Sequence, residues 1–566
     1  MSAVAARYRI NPVPQGNITN NMLADQVAAI GGPNSVIRRI NFPRFNVNAV
    51  VAILDEQQKT DFEAAHPTHV VRIDKLISRN QAPGQPSWGP PALAGSITAP
   101  ADVMCCGELP SIYIVDTGVR SGHTAFATLP VALQPSFVAN SLSTGEASAG
   151  VPADAYTDYG DHGTRMAGCF SGIDTGLLSD LGLSAKLVSV NCYDSMGAML
   201  SNTTFASNAE LAIFNTVTDH LSRISTTRYL RNHASVLLFA HSTSPVDGRI
   251  GTLDYAVQTA WEYGMTVVVS AGNDGVGAAT VSPAGADWAI TNGSAVVPYF
   301  YGSAPGGWNF QRANLSASRL LVAGAHTSAN VGWVNGNRNT VSLNVVDLLA
   351  PGVAVTVPEG TSNIGYASGS GTSYSAAFTA ATAAWVQTLR PWATPAQVRS
   401  QVLASSATTI TLGGLVYPKL AVPSVTSLAS VTMAYADWAS HYLLPVAVAA
   451  DLDPDKDGLA NGIEYYCGLD PRYPDLDKGP SITFDRTAGT LTVKMPLACY
   501  LPTASGVTWV LEKSTDLTSG TWTTVATGAL VQTSPCVEVG DGTEWKVTQA
   551  AVFTSQEFYR FHFDCP

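Results

Sequence analysis

The sequence predicts an α/β fold: a parallel sheet with helices on both faces, preceded by a small α+β unit and followed by an all-β, sandwich-like domain. Three observations carry this. Between residue 111 and about 420, short apolar runs alternate with helical stretches, the pattern of strands buried on both faces by crossover helices. Residues 1 to about 80 mix strand and helix signals without that regular alternation. Residues 480–566 are rich in Thr, Val and Tyr with frequent turn signals.

In chain order, ARYRINPVP reads as a strand and Asn20 to Gly31 as a helix. FNVNAVVAILDE is a strand, EQQKTDFEAAHP a helix and THVVRIDKLI a strand. SRNQAPGQPSWGPPALAGSITAP has the Pro, Gly and Ser content of a linker. The apolar strands that follow are SIYIVDTG, AKLVSVNCYD, SVLLFAHSTS, TVVVSAGND and RLLVAGAHT. Helices are expected near 162–171, 206–223, 252–263, 374–390 and 396–405. The fourth is a run of small residues (Ser375, Ala376, Ala377, Ala380, Ala381, Ala383, Ala384) that allows close packing, and Pro391 stops it. Gly369 and Gly371 before it suggest a sharp backbone turn. Residues 431–475 cluster acids. The expected units are therefore 1–80, 81–425, 431–475 and 476–566.

With 46% hydrophobic and 13% charged residues the chain is globular rather than disordered. A net charge of −12 disfavours nucleic acid or an anionic membrane as partner. No uninterrupted apolar run reaches the roughly 18 residues of a membrane span. MSAVAARYRINP has no apolar core of signal-peptide length. The eight cysteines fall four and four around a long gap, which allows two disulfides in each half and suggests an oxidising compartment. A secreted or extracytoplasmic protein is expected, its export signal lying outside this sequence.

Four polar residues stand where parallel sheets build sites, at strand ends or helix starts. Asp116 ends the strand IYIVDTG, His162 opens a helix in YGDHGTRMAG, Asn273 ends VVVSAGND, and Ser373 opens the Ala-rich helix in GTSYSAA. A serine hydroxyl needs a base to take its proton, and the base needs a carboxylate to hold its tautomer. The developing oxyanion needs a donor. Ser373, His162, Asp116 and Asn273 match these needs, although each alone has an ordinary structural use as a cap, core or turn residue.

The order Asp, His, Ser and the motifs IYIVDTGV, HGTRMAG, VVVSAGNDG and GTSYSAA resemble the subtilisin-like serine peptidases, with the proteinase K branch a plausible relative. The resemblance covers about residues 86–420. It implies a triad of Asp116, His162 and Ser373, with the Asn273 amide and the Ser373 N–H as oxyanion hole. It also implies that peptide substrate binds as an added strand against His241, Ser242, Thr243, Ser244 and Ser270, Ala271, Gly272, which wall the specificity pocket. The chain departs from the family with Arg165 where His is frequent, Ala377 where Pro is frequent, and HSTS at 241–244. Residues 1–80 resemble an inhibitor-type propeptide, which implies an intramolecular inhibitor cut off between about Ile77 and Pro86. The alternative is a permanently attached domain.

DLDPDKDGLANGIEYYCGLDP contains D-x-D-x-D-G-x5-E at Asp453, Asp455, Asp457, Gly458 and Glu464. Calcium takes six to eight oxygens, and alternate acids followed by a glycine turn can supply them. With the Leu459 carbonyl and Asn461 side chain, the loop resembles EF-hand and thrombospondin-type calcium loops, implying a structural Ca2+. An acidic turn without metal is the alternative. The expected function is a self-processing serine endopeptidase acting on protein or peptide. A non-catalytic binding or scaffold protein on the same fold, and a narrow amidase or transpeptidase, stay open.

Overall fold

The computed structural model describes residues 6–12, 18–42, 47–74, 76–79, 82–83, 88–99, 109–139, 158, 161–193, 203–226, 233–248, 250–286, 320–430, 432–442, 444, 449–474, 479–485, 487–488, 490–496, 498, 504–515, 520–531, 544–550 and 558–564. The N-terminal unit contains β1 (Ala6–Asn11), α1 (Asn20–Gly31), β2 (Val36–Phe42), β3 (Val47–Leu54), α2 (Glu56–Ala65) and β4 (Val70–Ile73). Its four strands form an antiparallel sheet in the order β2-β3-β1-β4. Both helices start on side-chain caps, Thr19 for α1 and an Asp55–Gln58 capping box for α2, which satisfy N–H groups that have no partner within the helix.

Strand β3 shows why this unit is seated rather than tethered. Val50, Ala52 and Leu54 face α1 and α2, with Tyr8, Ile10, Leu23 and Phe62. The alternate residues Val47, Ala49 and Val51 face the next domain's helices. A sheet apolar on both faces must be covered on both.

After the N-terminal unit come β5 (Leu76–Arg79), β6 (Ala82–Pro83), α3 (Gly89–Ala94), β7 (Ser111–Asp116), β8 (Ser136–Ala139), α4 (Gly163–Ser171), β9 (Lys186–Asn191), β10 (Thr203–Phe205) and α5 (Ala206–Thr226). The domain continues through β11 (Ser235–Phe239), β12 (His241–Ser242), α6 (Gly251–Glu262), β13 (Thr266–Ser270), β14 (Leu321–His326), β15 (Leu348–Pro351), β16 (Val355–Pro358), β17 (Tyr366–Ser370), α7 (Thr372–Leu389) and α8 (Pro395–Ser405). Seven strands make one parallel sheet in the order β15-β14-β13-β11-β7-β9-β8. Alternation divides the core. Ile112, Ile114, Val236 and Leu238 face α7 and α4 on one side, whereas Tyr113, Val115, Leu237 and Phe239 face α5 and α6 on the other. Helix α7 buries all 18 of its residues, as the run of small side chains requires of a helix apolar on every side.

Three sequence expectations are corrected here. THVVRIDKLI divides into β4 and β5, which belong to different sheets. Asp74, between them, accepts hydrogen bonds from the Ser207 N–H at 3.0 Å and hydroxyl at 2.6 Å at the start of α5. The supposed linker also contains packed structure: α3 has proline in its first turn, and Trp88 Nε1 donates to the Val353 carbonyl at 2.9 Å. Gly371, before α7, is extended at φ 170° and needs no left-handed turn.

Beyond the sheet lie β18 (Thr409–Leu412), β19 (Leu415–Pro418), α9 (Tyr435–His441) and α10 (Asn461–Cys467). The C-terminal strands are β20 (Ser481–Asp485), β21 (Thr490–Pro496), β22 (Ala504–Ser514), β23 (Thr523–Val531), β24 (Glu544–Ala550) and β25 (Phe558–Asp564), in antiparallel sheets β20-β21-β24 and β23-β22-β25. Among the described residues no disulfide joins the buried Cys169, Cys192 and Cys467. The other five cysteines lie outside the described residues, as does VVPYFYGSAPGGWNF (296–310), a stretch rich in aromatics and glycine. No helix among the described residues is long and apolar enough to cross a membrane.

Candidate active site

Strand β7 delivers Asp116 to the C-terminal edge of the sheet, and α4 begins directly after His162. Gly118 turns the chain away at φ 100°. The start of α4 then approaches so closely that a Cβ on Gly163 would lie 2.0 Å from the Gly118 carbonyl oxygen. That approach is why both the DTG and the HG stretch need their glycine. The Thr117 hydroxyl joins the two segments, accepting from His162 N at 3.2 Å and Gly163 N at 2.9 Å while donating to Asp158 at 2.6 Å. Asp158 also accepts from Thr164 N at 2.8 Å. Burial pushes the Asp158 carboxyl up, against the pull of these hydrogen bonds.

Within this frame His162 Nδ1 lies 2.9 and 2.8 Å from the two Asp116 carboxylate oxygens. Both side chains are fully buried. Burial alone would raise the Asp116 carboxyl; the charges of His162 and His241, the His162 hydrogen bond and the Thr117 N–H outweigh it and hold it below the usual carboxylate range. The opposite ring nitrogen, His162 Nε2, is buried with no hydrogen-bond partner among the described residues.

Ser373 is the second residue of α7, in the turn whose N–H groups have no acceptor inside the helix and where the helix dipole favours negative charge. Its hydroxyl donates to the Ala240 carbonyl at 3.3 Å. Ala240 precedes His241, whose ring meets that of His162 edge-on at 5.6 Å. Asn273 Oδ1 accepts from Thr372 N at 3.0 Å and from the Thr372 hydroxyl at 2.9 Å. Those donors fix the amide orientation, so Nδ2 is the group turned elsewhere; it is buried with no hydrogen-bond partner among the described residues.

The expected pocket wall is more varied. The His241 side chain lies against His162 and Phe239, and its Nε2 meets the Tyr193 hydroxyl at 3.0 Å. The Thr243 N–H and hydroxyl bond the Ser282 backbone, each at 2.9 Å. Ser244 closes a turn onto Asp247 at 3.0 Å. Ser270 ends β13, Ala271 N donates to Ala323 O at 3.0 Å, and Gly272 N donates to the Thr372 hydroxyl at 3.1 Å. Arg165 bonds Asp161 and reaches the hydroxyl of Tyr374, the neighbour of Ser373, at 3.5 Å.

The chain itself crosses this edge. Strand β5 pairs antiparallel with β12 (Arg79 opposite His241, Ser78 opposite Ser242) and on its other side with β10. Strand β6 then pairs with β17, Ala82 opposite Ser370. The residues that sequence reasoning passed over are Thr117, Asp158, Tyr193 and Thr372. Thr117 and Thr372 lie inside the quoted motifs; Asp158 and Tyr193 carry no local signal.

In the acidic loop, Asp453, Asp455 and Asp457 converge, with oxygens within 4.8 Å of one another. Lys456 and Gly458 adopt φ 64° and 99° to curl the chain around them. Burial, then Asp457 and Asp453, push the Asp455 carboxyl up. Asn461 Oδ1 is buried without a hydrogen-bond partner among the described residues, and Glu464 is fully buried on α10. This donor set fits a hard divalent cation.

The site thus joins a strand-end carboxylate to an imidazole and sets a serine at the start of α7. The model of the subtilase family matches residues 107–430, and the chain belongs to that family. It is 28% identical over 247 residues to an alkaline proteinase of Hapsidospora chrysogena, covering 43% of this chain and 50% of that one. It is 23% identical to a cuticle-degrading serine protease of Arthrobotrys oligospora, covering 46% and 57% of the two chains. Subtilisin-like protease 1 of Pseudogymnoascus destructans is 28% identical over 59% of this chain and 65% of its own. The chain thus spans between half and two thirds of these relatives' length. A solved cold adapted subtilisin-like serine proteinase aligns at 20% identity and a TM-score of 0.39, over 56% of this chain and 88% of that one.

Proposed function

We propose that this chain is a serine endopeptidase made as a self-processing zymogen. The observation that carries the reading is the buried contact of His162 Nδ1 with both Asp116 oxygens, at 2.8 and 2.9 Å, and Ser373 opens α7 in the same domain. With its Nδ1 proton held by Asp116, His162 presents Nε2 as the base. Ser373, turned from Ala240 toward that nitrogen, attacks the peptide carbonyl. Asn273 Nδ2 and the Ser373 N–H receive the oxyanion, and the imidazolium returns its proton to the leaving amine. An acyl-enzyme forms and water releases it by the same steps.

Residues 1–80 act as the intramolecular inhibitor, with β5 as a built-in substrate strand. The antiparallel pairing of β5 with β12, at His241–Ser242, and of β6 with β17, at Gly369–Ser370 just before α7, supports this. On this reading the cut falls between Arg79 and Ala82, inside the range 77–86 that the propeptide resemblance implies. Protein or peptide is the substrate class. Asp453, Asp455, Asp457, the Leu459 carbonyl, Asn461 and Glu464 hold a structural Ca2+ at the joint with the C-terminal β domain, and the protein works outside the cytoplasm.

Intact mass before and after incubation tests the reading, with Ser373→Ala as control. Loss of roughly the first 80 residues in the wild type alone supports it. An uncut wild type that also fails to label with a serine-directed phosphonate would return the chain to the scaffold reading, which the Ser373–Ala240 contact favours.

A further inference from the structure

We propose that Asp116, His162 and His241 form a site for a borderline-soft divalent cation, Zn2+ above all, and that the metal switches the peptidase off. The three residues lie at one sheet edge, fully buried, with one ligand atom from each within 4.8 Å of the others. Two imidazoles and one carboxylate form the donor set that zinc takes with a fourth, exchangeable position. A tetrahedral ion with bonds of about 2.0–2.1 Å sets its ligands about 3.3–3.4 Å apart, so His162 Nδ1 and Asp116, now at 2.8 and 2.9 Å, would part by roughly 0.5 Å to admit it.

The outer contacts of His241 and Asp116 are also those of a metal site, whereas His162 Nε2 has no hydrogen-bond partner among the described residues. Ligating imidazoles usually carry a partner on the second nitrogen, and ligating carboxylates accept hydrogen bonds. Here His241 Nε2 meets the Tyr193 hydroxyl at 3.0 Å, so Nδ1 would be its donor to the metal. Asp116 Oδ1 accepts from Thr117 N at 2.7 Å. His241 is the residue that makes the set. Asp116 and His162 alone would offer a carboxylate and one nitrogen, too few to hold zinc firmly.

Inhibition follows from the tautomer and rests on the peptidase reading. In the metal-free site the neutral His162 carries its proton on Nδ1, toward Asp116, and a lone pair on Nε2. When zinc takes Nδ1, that proton moves to Nε2 and Asp116 becomes a ligand. No proton is gained or lost, but Nε2 now holds a hydrogen where the Ser373 proton must go.

The test uses Co2+ as a spectroscopic stand-in for Zn2+, with Ca2+ in excess to fill the acidic loop. Both the uncut Ser373→Ala protein and the wild type after incubation are titrated. One equivalent of tetrahedral Co2+ absorption, displaced by Zn2+ and absent in His241→Gln and His241→Leu variants of unchanged circular dichroism, is expected in at least one form. In parallel, Zn2+ should slow peptide hydrolysis by the wild type, with at least tenfold weaker inhibition of His241→Gln relative to its own metal-free rate. No tetrahedral band in either form, or a band that survives both substitutions, overturns the site. Equal zinc sensitivity of wild type and variant overturns the switch. If the wild type never hydrolyses peptide while the band behaves as stated, the peptidase reading fails and the metal site stands.

Discussion

At the residue scale, the group most exposed to test is Ser373. Ser373→Ala should lower kcat by roughly 10^6, leave KM little changed and leave the N-terminal unit attached; peptide hydrolysis and intact mass report both. Asp116→Asn removes the acceptor that holds Nδ1–H, and a fall of about 10^4 in kcat is expected from the wrong tautomer. Asn273→Ala should cost roughly 100- to 1,000-fold in kcat with KM nearly unchanged, because an oxyanion donor acts on the transition state. If Asn273→Ala instead raised KM at constant kcat, the side chain would be a binding group and another donor would serve the oxyanion.

At the element scale, α5 links the N-terminal unit to the sheet. Its first turn meets Asp74, whose carboxylate takes the Ser207 N–H and hydroxyl, and Arg7 donates to Ser207 at 2.9 Å and to Asn208 at 3.1 Å. Asp74→Ala removes an anion from a helix N-terminus, a loss of about 1 kcal/mol, and should speed release of the severed unit about fivefold. Size-exclusion chromatography of the cut complex measures it. Nearer the C-terminal end of the same helix, His220 bonds the Ser235 hydroxyl at 2.9 Å and the Tyr263 carbonyl at 3.0 Å. Burial, helped by the charge of Arg223, lowers it from 6.5 to about 3. A depressed imidazole contributes fully above its unfolded value, and that contribution is lost as pH falls through the window from about 6.5 to about 3. The slope is about 1.4 kcal/mol per pH unit. Denaturant melts of Ser373→Ala at pH 7.5 and 5 should show the loss, and His220→Gln should flatten it.

At the scale of the whole molecule, stability should depend on calcium more than chemistry does. A chelator should lower the Tm of Ser373→Ala protein, by the equivalent of about 2.7 kcal/mol if Ca2+ had stood at 100 times its Kd. An unchanged Tm would remove calcium from the acidic loop. The loop is coupled to the main domain through its surroundings. Tyr465 donates to Met433 O at 2.6 Å, and Arg472 donates to Ile224 O at 2.6 Å at the end of α5. Loosening the loop should therefore be felt at the helix that also holds the N-terminal unit.

Local chemistry made much of this legible. Strands such as SIYIVDTG and SVLLFAHSTS are apolar at successive positions, so burial on two faces and a parallel sheet followed without coordinates. The small residues of 374–390 dictated a helix buried on every side, and alternate acids with Gly458 dictated a loop that converges on one point. What required the tertiary structure were relations between residues far apart in sequence. Asp74 looks like part of a strand until Ser207 supplies a helix end for it to cap. His241 looks like a pocket wall until the sheet brings it against Asp116 and His162. Strand alternation fixes which side a residue faces, but what stands on that side is set by crossover connections, and their packing is cooperative and non-local.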